Sequence, residues 1–204
     1  MIYTASTFQE FLASTPPFDR LSRTTRDRIA EQLKPLRYHM GQAIFTQERL
    51  SHQLAILHEG RVRLLGTDPR SQTTSTLKLL EPGALFGWVG LLRGIPCETA
   101  IASTESVCLT LPAAEFLDWL EQDPNLGEAF RDHADLSETF TLLAAARQRQ
   151  ANSPSDLDLV HLAQQACDRA RTAASFSFRK VDLVCQQRCG DQYLGWQFSG
   201  FCQG

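Results

Sequence analysis

Between residues 36 and 112, apolar residues occur in short runs that glycine and proline separate. The runs have the length and composition of β-strands. We assign them to residues 42–46, 54–57, 62–65, 76–80, 99–103 and 107–111. Short strands at regular spacing favour an antiparallel barrel or roll. The pattern therefore predicts a mainly β fold with α-helices, an antiparallel β-roll or jelly-roll barrel flanked by N- and C-terminal helices.

Helical patterns precede the predicted strands, in residues 1–35. The motif Thr15-Pro16-Pro17 interrupts the helical spacing, because proline lacks the amide hydrogen that a helix interior requires. Thr24 and Thr25 are alternative candidates for the cap of the second helix. The sequence thus predicts an N-terminal helical segment in two parts.

After Pro112 the apolar spacing changes from two residues to about 3.6, which predicts helices over residues 113–150. The pair Asp123-Pro124 is typical of a helix start, and we expect one helix to continue from it to the end of that segment. Residues 151–204 comprise a linker, a helix over 157–174 and a tail without a sustained period. We expect weak order in that tail.

An apolar stripe runs along the helix that Asp123 begins, with members three and four residues apart. The members are Leu126, Ala129, Phe130, His133, Leu136, Phe140 and Leu143. Packing on the same chain explains the first half. For the second half, around Leu136, Phe140 and Leu143, intrachain packing and a homodimer contact both stay open. His133 is more typical of a core histidine than of a ligand.

A glycine-rich turn occupies residues 83–92, where Gly83 and Gly87 lead into a short apolar helix. Residues 96–100 then enter the next strand through small side chains. Glycine lets the backbone approach a ligand closely, and a helix start presents unpaired N–H groups to an anion. The segment is therefore suited to surround a phosphate.

The run Phe86-Gly87-Trp88-Val89-Gly90-Leu91 resembles the phosphate-binding cassette of cyclic-nucleotide-binding domains, the family of the bacterial catabolite activator protein and of the kinase regulatory subunits. The resemblance covers roughly residues 18–147 and includes Gly41, Gly60 and Pro82-Gly83. It implies a β-roll with a helical segment before it and a lid or dimer helix after it.

Two side chains depart from the family's cassette. Trp88 stands where the family has a Glu that accepts from the ribose 2′-hydroxyl, and Glu98 stands where it has an Arg that pairs with the phosphate. A shorter family spacing would align Cys97 with that Arg instead. Such a charge-assisted pair contributes roughly 1.5–3 kcal/mol. The resemblance therefore implies a degenerate nucleotide pocket.

The candidate ligand-binding residues follow from the cassette. They are Gly87, Trp88, Val89, Arg93, Glu98, Thr99 and Ala100. The backbone groups and small residues could hold an anion weakly. Arg93 is either a substitute cation or, more commonly for such a position, a solvated loop charge. Trp88 either fills the ribose space, the commoner role, or offers a stacking face to a different ligand.

Residues 8–18 and 94–104 resemble the N-terminal regulatory segment of bacterial peptide- and protein-exporting ABC transporters. The resemblance implies a transporter partner. The sequence has neither the Gly-Lys-Ser/Thr phosphate loop of an ATPase nor an apolar run of about 20 residues. We therefore expect a non-catalytic regulatory or sensor module related to exporter regulation, either detached or a fragment, without membrane insertion.

Two alternatives stay open, a genuine cyclic-nucleotide-binding protein and a transcription regulator of the catabolite-activator type. The regulator would need a basic helix-turn-helix after the long helix. From Asp135 onward the sequence has seven acidic and seven basic residues, and the net charge is −3. We therefore expect no nucleic-acid partner. No cofactor is expected, apart from a cyclic nucleotide under the first alternative.

Histidine and cysteine usage favours neither an enzyme nor a metal site. The histidines are scattered, at His39, His52, His58, His133 and His161. The spacing of Cys185, Cys189 and Cys202 fits no common zinc pattern. No secretory signal is recognisable, so we expect a cytoplasmic location with reduced thiols, and Cys108 in a strand core.

Overall fold

The structure is a computed structural model that describes residues 5–131, 134–149 and 158–174. The strands of this part of the chain are β1 Lys34–Tyr38, β2 Ala43–Phe45, β3 Gln53–Glu59, β4 Val62–Thr67, β5 Thr74–Leu80, β6 Leu85–Phe86, β7 Thr99–Ala102 and β8 Ser106–Pro112. Its α-helices are α1 Ala5–Ala13, α2 Arg23–Gln32, α3 Trp88–Arg93, α4 Ala113–Gln122, α5 Pro124–Arg131, α6 Leu136–Arg149 and α7 Leu159–Ala174.

The strands form two four-stranded antiparallel sheets, in the orders β1-β8-β3-β6 and β2-β7-β4-β5. Apolar side chains fill the space between the sheets. This inner cluster includes Phe45, Leu57, Val62, Phe86 and Cys108. Cys108 is fully buried, as the sequence predicts for a strand core. The predicted β-roll with flanking helices is confirmed.

Helices α1, α2 and α4 cover the outer face of the β1-β8-β3-β6 sheet. Their apolar faces share a second core with β3, β8 and α3, in which Leu12, Ile29 and Phe116 are fully or almost fully buried. The indole Nε1 of Trp119 donates a 2.7 Å hydrogen bond to Oε1 of Gln32, which joins α4 to α2. The helical segments before and after the strands therefore pack as one layer.

Helices α6 and α7 lie over the β4–β5 hairpin. Phe140 of α6 packs with Leu77 of β5 and with Leu159 and Ala163 of α7. A Cβ atom added to Gly66 would lie 2.6 Å from the Phe140 ring and 2.9 Å from Leu77, so the absence of a side chain there permits this approach. The side-chain amide of Gln164 donates to the Leu77 carbonyl at 3.3 Å, which holds α7 on the hairpin edge.

A buried ion pair fastens the end of α6 to the same hairpin. Arg147 donates to the carboxylate of Asp68, and both side chains are less than 10% exposed. Asp68 also accepts from the Arg70 amide at 3.0 Å and from the Ser71 hydroxyl at 2.7 Å. Burial raises the pKa of Asp68, but these hydrogen bonds and Arg147 outweigh burial, so the pKa lies below its usual value.

The predicted single helix from Asp123 to the end of the 113–150 segment is wrong, because α5 ends at Arg131 and α6 begins at Leu136. Asp135 starts the second helix. Its Oδ1 accepts hydrogen bonds from the amides of Ser137 at 2.7 Å and Glu138 at 3.1 Å. A side-chain cap of this kind satisfies amides that have no partner inside the helix. The apolar spacing continues across the break and therefore conceals it.

The predicted cap of α2 and the predicted strand list also need correction. Ser22, rather than Thr24 or Thr25, caps α2 and accepts from the Thr25 amide at 3.1 Å. Strand β1 was not assigned from the sequence, and it begins at Lys34, inside the segment that was predicted to be helical. The four-segment division of the chain stays a prediction.

The residues behind the homodimer expectation pack within their own chain. Phe140 is 3% exposed, and Leu136 and Leu143 lie against the same cluster. The homodimer stays a prediction, since these contacts do not test it. His133, the cysteines of the tail and the tail itself lie outside the described residues.

Candidate functional site

A cavity of about 640 Å³ lies between the mouth of the β-roll and helices α5, α6 and α7. Its volume is within the range of about 300–1,000 Å³ that is usual for small-molecule sites. The apolar wall includes Leu64, Leu77, Leu80, Phe86, Trp88 and Phe130. The polar wall includes Arg20, Lys78, Glu98, Asp135, Gln164 and Asp168. The cavity therefore combines an aromatic surface with several ionisable groups.

The turn that leads into α3 places backbone amides beside Glu98, a residue of the cavity wall. Gly87 adopts φ +82°, a conformation that residues with a side chain rarely take. A Cβ atom at this position would lie 2.5 Å from the Phe45 ring and 3.0 Å from the Gln53 carbonyl oxygen. Both the backbone conformation and the available space thus require glycine where the chain enters α3.

Glu98 is buried directly beside that turn, and only 5% of it is exposed. Its carboxyl group accepts hydrogen bonds from the backbone amides of Gly87 and Val89. Burial and the nearby Asp135 raise the pKa of Glu98 to about 8, although the two amides oppose this rise. The cassette amides therefore face an acidic side chain of the same chain.

The raised pKa of Glu98 makes stability depend on pH in a defined direction. The pKa is about 8 in the folded protein and 4.5 in an unstructured peptide, so the folded state retains a proton that the unfolded state loses between these values. We expect wild type to lose stability relative to Glu98→Gln as pH rises through that window. The difference in the free energy of unfolding between the two proteins changes by at most about 1.4 kcal/mol per pH unit.

Urea unfolding of both proteins at several pH values measures this difference. Below pH 4.5 the two states protonate Glu98 alike, and above about pH 8 both ionise it, so the difference is expected to level off outside the window. A difference that does not change between these limits would show that Glu98 keeps an ordinary pKa in the folded protein.

Trp88 and Arg93 occupy the two ends of α3. Trp88 is 3% exposed and lines the cavity, and its ring packs edge-on against Phe130 with centroids 5.3 Å apart. Arg93 Nε donates to Glu138 Oε1 at 3.0 Å, so this guanidinium joins α3 to α6. Trp88 thus contributes to both the core and the cavity wall. Arg93 forms an ion pair with Glu138.

The other predicted ligand residues lie in the core or in strand β7. Val89 and Ala100 are fully buried. Ala100 pairs with Phe45 and Leu64 on the neighbouring strands. The Thr99 hydroxyl accepts from the Gln47 amide at 3.1 Å. Among the seven candidates, Trp88 and Glu98 line the cavity, and the ligand-binding role of all seven stays a prediction.

Sequence reasoning did not identify the cavity residues that come from outside the cassette. Asp135, Gln164 and Asp168 reach the cavity from α7 and from the connection before α6. The pattern Asp135-Leu136-Ser137-Glu138 is a sequence signature of a helix start, so it could have revealed Asp135. No local pattern marks Gln164 or Asp168, because they reach the cavity only through tertiary packing.

The strands and the cassette of this chain are similar to those of known proteins. The family model described as "Cyclic nucleotide-binding domain" matches residues 35–123. The cAMP-dependent protein kinase regulatory subunit of Mycosarcoma maydis is 27% identical over 96 residues, which are 47% of this chain and 18% of that protein. The cyclic AMP receptor protein of Thermus thermophilus is 29% identical over 147 residues, 72% of this chain and 63% of that protein.

A solved structure shares the fold. It is the regulatory subunit of a cAMP-independent protein kinase A from Trypanosoma cruzi bound to guanosine, with a TM-score of 0.61 and 20% identity over 70% of this chain and 49% of that one. The chain spans less than two thirds of the length of both sequence relatives. None of the helices in the described ranges combines the length and the apolar character that a membrane span requires.

Proposed function

Since residues 35–123 match the cyclic nucleotide-binding domain family, we propose that this chain is a non-catalytic regulatory domain that senses a ligand through a degenerate nucleotide pocket. The single observation that carries the proposal is the position of Glu98. Its carboxyl group lines the cavity and already accepts from the cassette amides of Gly87 and Val89. A cyclic nucleotide phosphate would have to compete with this group for the same amides.

The charges around the cassette disfavour a cyclic nucleotide. A phosphate monoanion beside Glu98 and Asp135 meets two acidic side chains and gains no cationic partner from the cassette, because Arg93 pairs with Glu138. Loss of the charge-assisted pair alone removes roughly 1.5–3 kcal/mol of binding free energy. Repulsion adds to this loss when Glu98 is ionised. We infer that cyclic AMP and cyclic GMP bind weakly to the unmodified protein.

An uncharged nucleoside fits the same cavity better. Its hydroxyl groups donate hydrogen bonds, which carboxyl oxygens accept, and its base presents a flat face to aromatic residues such as Phe86. The Trypanosoma cruzi structure of this fold, which is bound to guanosine, supports a ligand without a phosphate. We therefore propose guanosine or adenosine as the class of ligand.

Calorimetric titration tests the proposal with four probes: cyclic AMP, cyclic GMP, guanosine and adenosine. For wild type, we expect a nucleoside to bind more tightly than either cyclic nucleotide. We expect Glu98→Arg to bind cyclic AMP about 10- to 100-fold more tightly than wild type does, because it restores one charge-assisted pair. Glu121→Arg, the same charge change on the exposed face of α4, is the matched control and is expected to leave binding unchanged.

Two results would refute different parts of the proposal. Tight binding of cyclic AMP or cyclic GMP by wild type would refute the degenerate pocket. Absence of nucleoside binding, with weak cyclic nucleotide binding retained, would refute only the ligand class.

The relation to exporter regulation is a finer proposal that rests on the resemblance of residues 8–18 and 94–104 to exporter regulatory segments. If it holds, the chain changes the ATPase rate of a reconstituted ABC exporter from the same organism. An ATPase rate that is identical with and without the chain, in the presence and absence of nucleoside, would refute it.

A further inference from the structure

We propose that Glu98 and Asp135 act as a proton-responsive pair that couples the cavity to the start of helix α6. The inference rests on the proposed regulatory role of the domain, but it does not depend on which ligand the cavity takes. Three features of the geometry support it. Glu98 and Asp135 line the same cavity, Asp135 caps α6, and the chain is not helical between α5 and α6 at Asp135.

On one side of the pair, Glu98 is fixed by the turn before α3. The amides of Gly87 and Val89 hold its carboxyl group, and the requirement for glycine at position 87 limits how far this turn can move. Because Glu98 is 5% exposed, water solvates its charge poorly. A change in its protonation therefore alters the electrostatic field inside the cavity more than a surface carboxylate would.

On the other side, Asp135 is the cap of α6. Its Oδ1 accepts from the amides of Ser137 and Glu138, and its carbonyl oxygen accepts from the Thr139 hydroxyl at 2.7 Å. Ionisation of Glu98 repels the Asp135 carboxylate, and protonation removes that repulsion. The direct consequence of proton loss is thus a weaker hold of the cap on the first turn of α6.

Helix α6 can transmit this change, because both its ends are fixed to other elements. Near its start, Glu138 pairs with Arg93 of α3. Near its end, Arg147 pairs with Asp68 of the β4–β5 hairpin, and Phe140 between them packs against α7. A shift at the cap is therefore expected to alter the contacts that hold α6 and α7 over the cavity.

Other charged groups face the pair from the surrounding elements. Arg20, Lys78 and Asp168 line the same cavity, and Arg49 and the Cys97 thiol lie beside Glu98 on its other side. Arg93 is engaged by Glu138, and Asp135 is the acidic group that raises the pKa of Glu98. Asp132 and His133 precede Asp135 in the sequence and lie outside the described residues, so a His133 variant is needed as a control.

Nuclear magnetic resonance of the ligand-free protein tests the coupling directly. The amide shifts of Gly87 and Val89 report on Glu98, and those of Ser137 and Glu138 report on the cap. We expect all four to titrate with one midpoint near the Glu98 pKa of about 8. In Glu98→Gln we expect this titration to be lost at all four amides. In Asp135→Asn, which keeps a capping oxygen, we expect a lower midpoint at Gly87 and Val89.

Two further variants serve as controls. Asp118→Asn, on the exposed face of α4, and His133→Gln are expected to leave the shared midpoint unchanged. The coupling is overturned if Ser137 and Glu138 do not follow the midpoint of Gly87 and Val89. It is also overturned if Asp135→Asn leaves that midpoint where it is, or if His133→Gln removes the response. Because the titration uses ligand-free protein, a negative result would refute the coupling and would leave the proposed ligand binding to be tested separately.

Discussion

Arg147→Ala is expected to lower the free energy of unfolding by about 3–5 kcal/mol, because it leaves the buried carboxylate of Asp68 without its counter-charge. Asp68 keeps the hydrogen bonds from the Arg70 amide and the Ser71 hydroxyl, but neither supplies a positive charge. The variant also loses the packing of the Arg147 side-chain methylenes at the end of α6. Urea unfolding followed by circular dichroism measures the change.

Arg149→Ala is the matched control, since Arg149 lies two residues further along the same helix and is exposed. Its expected effect is within about 0.5 kcal/mol of zero. The double variant Asp68→Asn/Arg147→Met removes both charges and is expected to be more stable than Arg147→Ala. Equal stability of Arg147→Ala and Arg149→Ala would contradict an energetic role for the buried pair.

Gly87→Ala is expected to lower the free energy of unfolding by about 2–5 kcal/mol, the sum of a strained backbone and an overpacked contact. The strain comes from φ +82°, and the overpacking from a Cβ atom 2.5 Å from the Phe45 ring and 3.0 Å from the Gln53 carbonyl oxygen. The same variant displaces the amides that hold Glu98, so we also expect a change in the Glu98 titration. Denaturant unfolding and the amide shift of Val89 are the two measurements.

Gly83→Ala separates these two contributions. Gly83 has φ +91° in the same segment, but a Cβ atom there would meet no atom within 4 Å. Only the backbone strain of about 1–3 kcal/mol is then expected, without a change at Glu98. If Gly83→Ala were as destabilising as Gly87→Ala, the close approach of Phe45 to position 87 would have no energetic importance.

The sequence predicted the β-roll because local rules determine it. Each strand that the sequence predicts begins or ends near a glycine, a proline or a change of period, and these signals are visible in a single sequence. Strand β1 was not assigned because four of its five residues, including Lys34 and Arg37, are exposed. A strand at the edge of a sheet has little apolar alternation to detect.

The candidate site could be predicted only in part. The cassette identified Glu98 and Trp88 by position, but the contacts of Glu98 with Asp135 and with the Gly87 amide depend on tertiary structure. The Arg147 and Asp68 side chains are 79 positions apart, and neither is distinctive in its local sequence. The sequence does not separate α5 from α6, because the apolar spacing continues across the break and only the polar cap at Asp135 marks the start of α6.

Gly66 lets helix α6 lie in direct contact with the backbone of the β4–β5 hairpin. A Cβ atom at position 66 would overlap the Phe140 ring. A larger residue there would therefore displace the helix or rotate the ring. The distance between α6 and the β4–β5 hairpin therefore depends on the absence of a Cβ atom at residue 66.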